Sequence, residues 1–93
     1  MNIGILGLDF HLPGCSSLKE KRRRLVRIRD KFGRVPNVAV CESDFQDAHQ
    51  RAQWSVVAVA SSAVVVEQSL AEIERWVQET VDAVVIDVSR DFM

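Results

Sequence analysis

Ninety-three residues can build one hydrophobic core and not two, so the chain reads as a single domain over 1–93. With 47% hydrophobic and 27% charged residues the composition is that of a folded globular chain, and no apolar run approaches the roughly 20 residues of a membrane helix. The net charge of −1 conceals a segregation: residues 19–34 carry nine Lys/Arg against Glu20 and Asp30, a balance of +7, whereas the remainder carries three basic residues and eleven acids.

The first ten residues lack a basic leader and a cleavage pattern, which with the short apolar runs leads to the expectation of a cytoplasmic protein with no membrane contact. Ile3 to Leu12 alternates as a strand, with Leu6, Leu8, Phe10 and Leu12 on one face and Ile3, Ile5, Asp9 and His11 on the other. Pro13-Gly14 ends it, and Ser17-Leu18-Lys19-Glu20 has the form of a capping box opening a helix. The helix is predicted from Leu18 to Phe32, because Leu18, Leu25, Ile28 and Phe32 fall on one face, and Gly33 with Pro36 stops it.

A second strand is predicted over Asn37 to Ser43, a polar loop over Asp44 to His49, and a Val-rich third strand over Gln50 to Ala60. Val66, Leu70, Ile73 and Val77 mark a second helix, Ala63 to Thr80, and the last strand is predicted from Val81 to Arg90. The order strand, helix, strand, strand, helix, strand is the split βαβ arrangement. With right-handed crossovers it predicts an α+β, ferredoxin-like βαββαβ sandwich: a four-stranded antiparallel sheet with two helices on one face.

One sheet face then stays free. Pairing strands one and three antiparallel places Ile3 and Ile5 near Val57 and Val59, which suggests an apolar interface for a homodimer. It also places Asp9 and His11 near Arg51, Gln53 and Ser55. Asp9 and His11 have no nucleophile or orienting group beside them, so no enzyme is expected. Cys15, Cys41, His11 and His49 match no metal-ligand spacing, and no metal or cofactor is expected. Gly4 and Gly7 lie within a strand and suit close packing or a bulge.

The basic helix is the clearest candidate site. Lys19, Arg23, Arg27 and Arg34 lie along one side, flanked by Arg22 and Arg29, and with Arg24 in the Lys21–Arg24 run they form a footprint for phosphates. The candidate contacts are Lys19, Arg22, Arg23, Arg24, Arg27 and Arg34, for RNA or a ribosomal particle. The alternative is a homo-oligomer whose arginines meet acidic protein surface. Phe10 and Trp54 fall on the core parity and no Tyr is present, which disfavours base stacking on the open sheet.

The run His11-Leu12-Pro13-Gly14-Cys15-Ser16-Ser17-Leu18-Lys19-Glu20-Lys21-Arg22-Arg23 resembles the signature of the YlxP-like bacterial proteins, a family of small proteins of unknown function. Val38-Ala39-Val40, Gln46-Asp47, Gln50-Arg51-Ala52 and the segment from Val84 to Asp91 are similar as well. The resemblance implies a ferredoxin-like fold and an RNA or ribosomal partner, and it carries over no catalytic residue.

Overall fold

The computed structural model describes residues 1–93. In chain order the elements are β1 (Asn2–His11), α1 (Leu18–Phe32), β2 (Val38–Asp44), β3 (Arg51–Ala60), α2 (Ala63–Thr80) and β4 (Val84–Phe92). The strands form one sheet in the order β2-β3-β1-β4, every neighbouring pair antiparallel. This is the ferredoxin-like sandwich expected from the order of elements.

Period-two alternation decides which sheet face is covered. Leu6, Leu8 and Phe10 of β1 and Ala52, Trp54, Val56 and Ala58 of β3 are buried, and they join the stripes Leu25, Ile28 and Phe32 of α1 and Val66, Leu70, Ile73 and Val77 of α2 in one core. Gly4 lets α2 settle onto the sheet, since a Cβ there would stand 2.5 Å from Val66 Cγ1 and 2.8 Å from Leu70 Cδ1.

Local signals position α1. Ser17 caps it, its hydroxyl accepting from the Glu20 N–H at 3.0 Å. Gly33 does end the helix, but not through a left-handed conformation: its φ is −66°, and its N–H donates to Arg29 O at 2.7 Å. A Cβ at this position would meet the same carbonyl at 2.6 Å, so the glycine serves close approach.

The last strand begins three residues later than its apolar run suggests. Val81 still donates its N–H to Val77 O and is buried as the end of α2. The strand instead extends to Phe92, which pairs with Gly4. Ile86 is the extra residue of a bulge opposite Asp9/Phe10, and Ser43 occupies a second bulge between Glu42 and Asp44.

Candidate functional site

The burial stripe of α1 turns its opposite side outward. Lys19, Arg22, Arg23, Arg27, Arg29 and Lys31 are exposed along the helix, and Arg34 is exposed in the turn that follows. None of these seven takes part in an ion pair. Asp30 is the single exposed acid among them. Two of the cations lie over indole rings, Arg29 at 5.7 Å from the Trp54 ring centre and Lys31 at 5.9 Å from that of Trp76.

Two members of the basic run do not belong to this face. Arg24 is only 14% exposed. Its Nε donates to Asp82 O at 2.9 Å and its Nη1 to Pro13 O at 3.0 Å, and its guanidinium lies 3.2 Å from the Asp82 carboxylate. It ties α1 to the β1–α1 turn and to the turn before β4, so the structure separates it from the other five candidates. Lys21 is buried, 2% exposed. Its Nζ donates to Phe45 O at 2.8 Å and to Gln46 O and Arg51 O at 3.3 Å each, and it pairs with Glu42 at 3.1 Å. One ammonium thus holds the β2–β3 loop, in which Phe45 adopts φ +61°. The sequence does carry a signal for this role: Lys21 is three residues after Leu18 and four before Leu25, within the apolar stripe.

The open sheet face has two ends. Ile3 pairs with Val59 and Ile5 with Val57, so the four candidate interface residues do converge, with Ala39 beside Val57. At the other end polar groups engage one another. Gln53 Nε2 donates to Asp9 Oδ1 at 2.9 Å, and Ser55 Oγ to Ser43 Oγ at 2.8 Å. His11 lies opposite Arg51, with Nδ1 3.2 Å from Gln50 O. Asp9 and His11 therefore have separate partners and form no acid–base pair. The Arg51 guanidinium sits 4.5 Å over the Phe45 ring.

The largest depression, about 540 Å³, lies between the β1–α1 and β2–β3 loops and is lined by Gly14, Cys15, Ser16, Asp47, His49 and Gln50. Its one thiol is buried, Cys15 Sγ lying 3.5 Å from Ser17 O, whereas Ser16, Asp47 and His49 are exposed along its wall with no hydrogen bond between their side chains. Just behind it, the Cys15 thiol holds the Glu20 carboxyl below the ordinary carboxylate value, against a desolvation effect that raises it, with the Ser16 amide, Arg24 and Arg23 helping to lower it. Cys41 is exposed on the open sheet face.

The model of a family described as "Protein of unknown function (DUF503)" matches residues 3–90. The chain is 38% identical over 72 residues to the uncharacterized protein YlxP of Bacillus subtilis (strain 168), a match covering 73% of this chain and 74% of that one. Among solved structures, the de novo designed protein LFR1 1 with ferredoxin fold is similar with TM-score 0.53 and 13% identity, over 99% of this chain and 84% of that one. A Bordetella bronchiseptica protein assigned as an antibiotic biosynthesis monooxygenase is similar with TM-score 0.53 and 17% identity, over 98% and 96% of the two chains. At such identities the two structures show the fold alone. No helix is long and apolar enough to cross a membrane. Matched over nearly its whole length by the family model, and by YlxP over about three quarters, the chain belongs to the DUF503 family of proteins of unknown function.

Proposed function

We propose that this chain is a non-enzymatic binding protein of the cytoplasm that meets RNA or a ribosomal particle through the outward side of α1. The observation that carries the reading is the row of seven exposed cations, Lys19 to Arg34, with no ion-pair partner and Asp30 the one exposed acid among them. Like charges three and four residues apart repel by a few tenths of a kcal/mol each, and phosphates relieve that repulsion while releasing counterions. Engagement of the polar open-face side chains with one another, and burial of the Cys15 thiol, support binding over catalysis.

The test is co-sedimentation with ribosomal subunits across a salt series, comparing the protein with an Arg23→Glu/Arg27→Glu variant. Salt-sensitive binding that the variant loses supports the proposal. Absence of binding by either protein at low salt overturns it, and leaves the runner-up in which the basic helix meets acidic surface of a neighbouring subunit.

A second reading is compatible with the first. The apolar end of the open face, where Ile3, Ile5, Val57 and Val59 adjoin, supports a homodimer formed face to face. Sedimentation as a monomer at high micromolar concentration would remove it.

A further inference from the structure

Along α1, Arg22, Val26 and Arg29 follow one another at spacings of four and three residues, so they share one flank of the helix. That flank borders the edge strand β2 and, with Glu42 and Trp54, lines a groove of about 210 Å³. Glu42 and Trp54 are paired neighbours in β2 and β3. The groove is electropositive: Arg22 and Arg29 have no ion-pair partner, and the one carboxylate in it, Glu42, is countered from within the protein by Lys21 at 3.1 Å.

Trp54 supplies an independent observation. The residue is only 5% exposed, and its Nε1 is buried without any hydrogen-bond acceptor. An indole N–H can only donate, and leaving one desolvated and unpaired is costly, on the order of 1–3 kcal/mol. The Arg29 guanidinium lies 5.7 Å over the same ring. Two exposed guanidiniums without an ion-pair partner and one buried N–H without an acceptor therefore border one groove, and the group that answers them is an anion rich in acceptor oxygens. Guanidinium forks match phosphate oxygens in geometry as well as charge.

Resting on the proposed polyanion-binding role of α1, we propose that the α1–β2 groove is the seat of a phosphodiester group of the RNA strand. Arg22 and Arg29 hold its oxygens, and the Trp54 indole N–H turns toward it as a third donor. The outward cations Arg23 and Arg27 then contribute attraction along the helix, and the groove fixes where the strand lies.

Trp54 is its own reporter once Trp76 is replaced by Phe. The Trp76→Phe protein is titrated with a fluorescently labelled decauridylate, following both label anisotropy and indole emission. The expected result is a saturating change of Trp54 emission whose midpoint coincides with that of anisotropy. Arg29→Ala should abolish the emission change and weaken affinity about tenfold, as for one charge-assisted bond. Arg23→Ala should weaken affinity and leave the emission change at saturation.

Binding with unaltered Trp54 emission, or an emission change that survives Arg29→Ala, overturns the groove while leaving the proposed function standing. Lack of any binding overturns both. Inorganic phosphate reproducing the change at micromolar concentration would also overturn the groove as a strand site, since it would then serve free anions. If Trp76→Phe unfolds, the two indole N–H signals in a nitrogen-15 spectrum of the unsubstituted protein give the same readout, with one signal moving on titration expected and neither moving overturning the groove.

Discussion

Replacing Lys21 by Met keeps the long apolar stem and removes only the buried ammonium. Four oxygens lose their cation: Phe45 O at 2.8 Å, Gln46 O and Arg51 O at 3.3 Å, and Glu42 Oε2 at 3.1 Å. A charge-assisted bond contributes roughly 1.5–3 kcal/mol net, and bonds near 3.3 Å count for less. The Glu42 side chain as a whole is 21% exposed, so although its Oε2 is buried the carboxylate can turn toward water, which limits the penalty of leaving it unpaired. Together these give a loss of about 3 kcal/mol, at the low end of the roughly 3–5 kcal/mol for removing one partner of a buried ion pair. For a domain of this size that is a fall in Tm of roughly 12–24 °C. Thermal unfolding followed by circular dichroism measures it, and adding Glu42→Gln to Lys21→Met should cost less than the two single changes summed. A fall below about 4 °C, equivalent to under about 1 kcal/mol, would refute the view that this ammonium holds the β2–β3 loop.

Arg24→Ala should destabilise the fold by about 1–2 kcal/mol in urea unfolding, through loss of its bonds to Asp82 O and Pro13 O, yet reduce oligonucleotide affinity less than Arg23→Ala does. Gly4→Val should overpack the α2–sheet contact, where the Val66 and Leu70 methyls already crowd any Cβ, and lower stability by about 1–3 kcal/mol in the same assay. Because the folded-state pKa of Glu20 is lowered, its contribution to stability is present above the unfolded value and disappears as pH falls through the folded one. The Tm gap between the protein and Glu20→Gln should therefore be widest near neutrality and close on acidification; a gap independent of pH would contradict it. Ile5→Asp/Val57→Asp should yield a folded monomer by analytical ultracentrifugation if the open face self-associates, and a sedimentation coefficient identical to that of the starting protein would count against this contact.

The architecture was readable because each long element repeats a single period. Leu6-Leu8-Phe10 and Val66-Leu70-Ile73-Val77 state which side is inward without help from tertiary context, and Ser17 states where α1 starts. Register between β1 and β3 followed from antiparallel order alone, which is why Ile3 and Val59 could be placed together. The start of β4 was not readable, since Val81 to Ile86 offers no Gly or Pro and only the hydrogen bond from Val81 to Val77 assigns its first residue to α2. Within the basic helix, composition shows charge and not direction. Lys21 and Arg24 look like their neighbours until the carbonyls of Phe45, Pro13 and Asp82 are located, and these come from loops that no local pattern describes.

The two ends of the sheet's chain path meet: Ile3 N–H donates to Met93 O at 3.3 Å and Met93 N–H to Ile3 O at 2.8 Å. β1 is thus a central strand whose second neighbour, β4, is made only after β2, β3 and α2. A chain leaving the ribosome carries β1 half-paired until residues 84–92 follow, so closure of the sheet is a late event governed by a long-range contact. The same proximity means that a short linker can join residue 93 to residue 1 and the chain be reopened between Ala48 and His49, beyond the Phe45 and Gln46 carbonyls that Lys21 holds, giving a permuted protein in which β3, α2 and β4 precede β1 and every strand neighbour is retained.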